Sequence, residues 1–324
     1  MQIAHTVQEL DLAGAAAVTI GNFDGVHKGH QALIGRMLDV AEENGLSGVV
    51  VTFQPHPRLV VAPHRTHVPL TTREERMRLL ADIGVENVLE LPFTPELAGL
   101  DPEEFVKRYL APMPMRELVV GHDFTLGSGR SGTAAVLTEI GEKLGFGLEQ
   151  LEPVFCEDGL VSSTRLRQCV AAGDVWVASR LLGRRYGYDG RVVQGEGRGR
   201  VLGFPTANFA PAGTLLPGEG VYASAMRVDG AWHPAVTNIG HNPTFNGQKL
   251  TVESFLLDYD GDLYDKSLRL EFVARLRGEE RFESPEALVA QIGRDVAEAR
   301  KILGQEGVGP AQAASHKFST RSEQ

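Results

Sequence analysis

The chain divides into two domains of different class. The first half is α/β with a parallel sheet, and the second is an antiparallel barrel or sandwich followed by a C-terminal helix. Three observations predict this. Helical and strand patterns alternate up to about residue 183, which implies parallel crossovers and a doubly wound sheet. From Tyr186 to Phe272 short β-type runs are separated by Gly, Pro and Asp, the pattern of an antiparallel all-β unit. The 324 residues suffice for two cores at about 150 residues per domain.

Each element follows from local pattern. Ala17–Ile20 is a short apolar strand, and 28–43 carries Leu33, Ile34, Met37, Leu38 and Ala41 at helical spacing, with Gly45 as the stop. GVVVTF (48–53) is a continuous β-branched run, as in a strand buried on both faces. Helix 72–84, strand 88–93 and helix 101–110 follow, the last opened by Asp101, Pro102 and two glutamates. Strand 118–121 and helix 133–144 complete the alternation, and 163–183 is helical with a break near Gly173. In the second half, RVVQG, GVYASAMRV, WHPAVTNI, LTVESFLL and SLRLEFVARL read as strands with no helix between them. Ser284 and Pro285 open a helix reaching Leu303. The segment 306–324, rich in Gly, Ala, Ser and Gln, is expected to be disordered.

Composition excludes several classes. A net charge of −10 argues against a nucleic-acid backbone as main partner, although a local pocket can still hold a small anion. The N-terminus lacks the basic and apolar segments of a signal peptide, and no apolar run of about 18 residues spans a membrane, so a cytoplasmic location is expected. Cys156 and Cys169 form no CxxC and read as two buried, reduced thiols.

The first chemical constellation is GNFDGVHKGH (21–30), which leaves the first strand and enters the first helix. In an open α/β sheet, ligands bind at such strand ends. Gly21 and Gly25 permit a tight turn and close approach to phosphate, and the helix start supplies unpaired N–H groups. His27 and His30 share one face if both are helical, and two imidazoles there suit charge developing on a transferring phosphate. A capping pair or a zinc site are the alternatives. Zinc needs three or four ligands, and no Cys or Glu stands at helix spacing nearby. The sequence does not place His56, His64 and His67 relative to this turn.

GNFDGVHKGH resembles the HxGH signature of nucleotidylyltransferases. With FQPHP (53–57), VGHDFTLG (120–127) and SSTRLR (162–167) in this order, the chain is similar to the bacterial bifunctional riboflavin kinase/FAD synthetase family. The resemblance implies that His27 and His30 face the ATP phosphates, that Gly21, Asn22, Phe23, Asp24 and Gly29 shape the nucleotide and FMN site, and that Asp123 binds the nucleotide or its metal. It places Ser163, Thr164 and Arg165 at a helix start against the triphosphate, where hydroxyls beside an Arg make an anion site.

The second constellation is GEGRGRVLGFPTANF (195–209). A Gly-rich segment with arginines can wrap phosphates through its backbone, although GxxxxGK[ST] is absent. Thr206 and Asn208 are two apart, so on a strand their hard oxygen ligands share one face and suit Mg²⁺. GRVLGFPTAN resembles the hallmark of riboflavin kinases, and the likeness runs on through NIGHNPTF (238–245), TVESFLLDYDGDLY (251–264) and RLRGEERF (275–282). It implies nucleotide binding by Gly195, Arg198, Gly199, Arg200, Gly203 and Pro205, Mg²⁺ at Thr206 and Asn208, and Glu253 as the general base. Flavin would lie against Asn238, Gly240, Thr244 and Phe245 in a loop, with Glu279 and Phe282 closing over it. Phe255 and Asp265 stand where the family commonly has His and Gly, and Asp265 then has to tolerate a positive φ.

The resemblance makes residues 1–183 an FMN adenylyltransferase domain with a Rossmann-like nucleotidylyltransferase fold. Residues 184–305 become a riboflavin kinase domain built on an antiparallel β-barrel. The expected substrates are riboflavin, FMN and ATP with Mg²⁺, and oligomerisation is left open. A chain with one vestigial half, or a flavin-storage protein, would be marked by loss of Glu253 or of the two histidines, and all three are present.

Overall fold

The structure, a computed structural model, describes residues 1–308 except 65, 196, 211–212 and 245–246, with backbone alone at 198, 242–244 and 247–249. The chain forms two compact units. The first comprises Met1–Val68 and Arg73–Val161; the second comprises Pro69–Thr72 and Ser162 onward.

In the first unit the elements run β1 (Gln2–Ala4), β2 (Ala16–Ile20), α1 (Lys28–Asn44), β3 (Ser47–Gln54), α2 (Pro57–Val61), α3 (Arg73–Ile83), β4 (Asn87–Pro92), α4 (Pro95–Ala98), α5 (Pro102–Phe105), β5 (Met115–Val120), α6 (Ala134–Leu144) and β6 (Gly147–Gln150), then a small hairpin of β7 (Phe155–Cys156) and β8 (Gly159–Leu160). Six parallel strands form one sheet in the order β1-β4-β3-β2-β5-β6. Its central strands are apolar on both faces because each face is covered. Ala17, Val50, Val88 and Val119 pack with Leu33, Ile34 and Met37 of α1 and with Met77 and Leu80 of α3. The alternate residues Val18, Ile20, Val49, Val51 and Leu118 pack with Phe105, Leu137 and Ile140 on the other side. Each fully buried Val, Leu, Ile, Phe or Met among them contributes about 1.5–3 kcal/mol. The strand order reverses at β2, whose carboxyl end is therefore the switch point where α/β sheets bind ligands.

The second unit runs α7 (Ser163–Ala172), α8 (Val175–Leu182), β9 (Tyr186–Val193), α9 (Arg198–Val201), β10 (Thr206–Ala210), β11 (Gly220–Val228), β12 (Ala231–Thr244), β13 (Gly247–Leu256), β14 (Ser267–Arg277) and α10 (Pro285–Gln305). Its six strands close an antiparallel barrel in the order β10-β13-β12-β11-β14-β9, with β9 returning to β10. Tyr188, Phe209, Tyr222 and Phe272 pack ring to ring in its core. A fully buried row of hydroxyls crosses three strands: Ser224 Oγ lies 2.6 Å from Thr237 Oγ1, which lies 2.7 Å from Ser254 Oγ. Ala299 and Leu303 of α10 pack with Val221, Ala223, Val236 and Val273, and α8 packs on β9 and β14.

Several expectations are refined. Gly45 and Gly173 end their helices in the left-handed region. Helix 101–110 is α-helical only to Phe105 and continues as a π-helical turn, Val106–Leu110. NIGHNPT is not a loop: β12 and β13 stay paired out to Thr244 opposite Gly247, because the ladder supplies partners for that backbone. A short helix, α9, does interrupt the β-rich half, and β10 is a strand of its own. Glu306 caps α10 and Val308 returns to its core cluster; 309–324, the rest of the expected tail, lie outside the described residues. Cys156 and Cys169 are free thiols, but half-buried rather than buried. Asp265 takes φ 62° and its carboxylate pairs with Arg191 at 2.9 Å.

Candidate active sites

In the first unit the turn after β2 holds Gly21, Asn22, Phe23, Asp24 and Gly25 at the sheet's switch point. Phe23 and Val26 adopt positive φ, at 50° and 42°, a strained pair for non-glycine residues. Burial of Phe23 holds the turn: its ring is fully enclosed and meets the His30 ring edge-on at 5.3 Å. His27 is not helical. It is the N-cap of α1, and its Nδ1 accepts the backbone N–H of His30 at 3.2 Å. The two imidazoles stack with centroids 3.6 Å apart. Capping is thus real, and it fixes chemistry: an accepting Nδ1 leaves the proton of neutral His27 on Nε2, as a donor. Burial first, and His27 second, hold the His30 imidazole well below the usual histidine range. His30 Nδ1 is buried with no partner, as is Asn22 Oδ1. Gly29 is required by close approach, since a Cβ there would come within 3.2 Å of the His27 ring and 3.6 Å of the Val161 carbonyl.

Asp123 is exposed beyond the carboxyl end of β5, the direct neighbour of β2. Ser163, Thr164 and Arg165 form the first turn of α7, in the second unit. Ser162 caps that turn, its Oγ accepting from the N–H of Arg165 at 3.3 Å.

Sequence reasoning missed Arg76. It is 6% exposed and runs under the turn, donating from Nη1 to the Asn22 carbonyl at 3.2 Å and from Nη2 to Glu90 Oε1 at 3.4 Å. Arg73 grips the same buried Glu90 at 2.6 Å. The signal was available: Arg76 stands four residues before Leu80, on the apolar stripe of α3, where an unpaired charge would be prohibitive.

In the second unit one relation organises the site. Asn208 of β10 stands opposite Glu253 of β13, which in turn stands opposite Asn238 of β12. Directly opposed residues share a sheet face, so an amide, a carboxylate and an amide form a row. All three are half-buried, while their neighbours Ala207, Val252, Ser254 and Ile239 are buried. Thr206 stands opposite Phe255 on the same face as Asn208. The Gly-rich segment lies against this row. A Cβ on Gly195 would collide with the Asn208 amide, and one on Gly199 would fall 3.3 Å from Thr206 Oγ1. Arg198, Gly199 and Arg200 lie in α9, with Arg200 exposed; Gly203 takes φ 86° and Pro205 leads into β10.

Beyond Asn238, Glu279 leans over Gly240, leaving no room for a side chain there. Partial burial, then the nearby Glu219 charge, raise the Glu279 carboxyl above the usual range. Glu219 pairs with His241 Nδ1 at 3.0 Å. The Phe282 ring lies under the Arg277 guanidinium, 5.6 Å from its centroid. The Thr244 side chain and Phe245 lie outside the described residues.

Comparison with known proteins finds a family match in each half of the chain. The family model for FAD synthetase matches residues 11–165 and that for riboflavin kinase matches 182–303. A bifunctional riboflavin kinase/FMN adenylyltransferase from Pseudomonas fluorescens is 41% identical over 286 residues, covering 88% of this chain and 92% of the relative. The chain belongs to the bifunctional riboflavin kinase/FMN adenylyltransferase family. A family member from Escherichia coli (strain K12) is 37% identical over 303 residues, covering 93% and 96% of the two chains. The crystal structure of a macrolide-efflux protein from Streptococcus pneumoniae has the same fold, with TM-score 0.84 and 31% identity over 92% of this chain and 98% of that one. Among the described residues no helix is long and apolar enough to cross a membrane.

Proposed function

We infer that this chain phosphorylates riboflavin to FMN and then adenylylates FMN to FAD with release of pyrophosphate, using ATP in both steps. The observation that carries the reading is that each unit presents its own set of groups for phosphate chemistry. The stacked His27–His30 pair stands at the switch point of one, and the Asn208–Glu253–Asn238 row on the barrel of the other.

In the kinase unit Glu253 orients the primary hydroxyl of riboflavin and accepts its proton as the γ-phosphate transfers. Backbone N–H groups of 195–203 enclose the phosphates. Thr206 Oγ1 and the Asn208 side-chain oxygen are hard donors close to the glycine backbone, and this donor set fits Mg²⁺. Mg²⁺ bound there would neutralise phosphate oxygens. Asn238, Gly240, Thr244, Phe245, Glu279 and Phe282 hold the flavin.

In the adenylyltransferase unit no covalent step is needed. The N-terminus of α1 with the Nε2–H of His27 and the ring of His30 stabilises charge on the transferring α-phosphate. Gly21 to Asp24 shape the acceptor site, and Asp123 binds the nucleotide. The enzyme works in the cytoplasm on free small molecules. Incubating purified protein with riboflavin, ATP and Mg²⁺ and resolving flavins by chromatography tests the reading: FMN appears first and FAD after it. Riboflavin left unchanged, or FMN accumulating with no FAD, overturns it in whole or in half.

A further inference from the structure

Three metal-ligating side chains from separate parts of the first unit converge beside the β2–α1 turn. Asp24 comes from the turn, His56 from the residue that caps α2, and His67 from the segment returning toward α3. One ligand atom of each lies within 4.8 Å of the other two, and the His56 and His67 rings are 4.1 Å apart between centroids. We propose that Asp24, His56 and His67 form a site for a single divalent transition-metal ion such as Zn²⁺, Mn²⁺ or Co²⁺.

The chemistry of the donor set supports this. Two imidazoles and one carboxylate are a borderline N,N,O set, which prefers such ions to Mg²⁺ or Ca²⁺. Three ligands about 2.1 Å from a common centre lie about 3.4–3.6 Å apart, so atoms now within 4.8 Å of one another close by about 1.3 Å at most, within the reach of side-chain rotation. Three protein ligands leave positions open to water, the arrangement of a reactive rather than a closed structural site. Asp24 is buried, at 5% exposure, where a carboxylate needs positive charge at hand. Arg76 supplies positive charge beside it. The Nδ1 of His56 accepts the N–H of Arg58 at 3.1 Å. A cation bound through either ring nitrogen displaces that bond, and the amide is exposed, so water replaces it. The proposal does not depend on the assignment of substrates.

The test uses the full chain, stripped with a chelator and titrated with Co²⁺ while its ligand-field absorption is followed. One equivalent is expected to bind, to be displaced by Zn²⁺ and to resist an excess of Mg²⁺. His67→Gln and His56→Ala are each expected to weaken binding at least tenfold, with riboflavin phosphorylation in the same samples, far from these residues in sequence, reporting that the protein is folded. If the parent protein takes up no stoichiometric Co²⁺, the three side chains are a hydrogen-bonded Asp–His cluster and the proposal fails. It fails equally if Mg²⁺ displaces Co²⁺ at similar concentration, or if both variants bind as the parent does, which would mark an adventitious ion only.

Discussion

Asn208 and Glu253 stand directly opposite each other on adjacent antiparallel strands. The strand ladder itself thus fixes the spacing between an oxygen donor assigned to the cation and the carboxylate assigned to the proton. A side chain moved by one residue would point to the opposite face.

Glu253→Gln keeps shape and removes the proton-accepting charge. Riboflavin phosphorylation is expected to fall by about 10²-fold or more, while added FMN is still converted to FAD. Chromatographic assay of both steps checks this; parental phosphorylation by the variant would remove Glu253 as the base.

His30→Ala is expected to give the reverse pattern, with FAD formation down about 10²-fold and phosphorylation unchanged. The ring also stacks on His27 and meets Phe23, so His30→Asn, a smaller polar replacement, is the companion variant to assay.

The lowered affinity of His30 for a proton makes the first unit sensitive to acid. In the folded chain His30 stays neutral where the unfolded chain, near its ordinary value of 6.5, already binds a proton. The unfolded state then holds more protons, and stability falls as pH drops below about 6.5. Melting curves between neutral and mildly acidic pH should show a falling Tm, with a shallower dependence in His30→Asn. An identical slope in the variant would assign the effect to other groups.

Arg76→Met should destabilise the first unit by about 3–5 kcal/mol, because the carboxylates of Glu90 and Asp24 lose a buried counter-charge. Calorimetry should show one transition lowered and another unchanged, together with loss of FAD synthesis but not of phosphorylation. Arg76→Lys restores charge without the reach to both Asn22 and Glu90, and is expected to fall between.

The point of division also matters. Val175, Ala178, Leu181 and Leu182 of α8 are buried in the second unit, and Arg275 donates to the Ala172 and Glu219 carbonyls at 3.3 and 2.6 Å. A fragment starting at Ser162 and ending at Val308 keeps this cover and should phosphorylate riboflavin. One starting at Leu182 loses it and should melt lower. Equal melting of the two would show that α7 and α8 add nothing to the barrel.

Much of this was legible in the sequence. Helix ends carried strong signals, such as Gly45, Gly173 and the Ser284–Pro285 start, because caps act locally. The strands β1 and β6 were missed: three and four residues are too few to show a period. The candidate site residues were named by motif, but their spatial relations were not. That His27 would cap rather than continue α1 depends on a ψ of 169° set by the strained turn before it. That His56 and His67 would meet Asp24 depends on the path of an eleven-residue interval (56 to 67) that no periodicity governs.

The barrel closes on itself, and the sheet of the first unit ends in its two shortest strands, with GVVVTF held third from one edge and fourth from the other. An unpaired strand edge is a template for another chain, and a β-branched run like that one is what such a template captures. Here the most adhesive segment lies in the middle of the sheet and is exposed only when the sheet comes apart. Clumping of this protein should therefore track its unfolding rather than its concentration in the folded state.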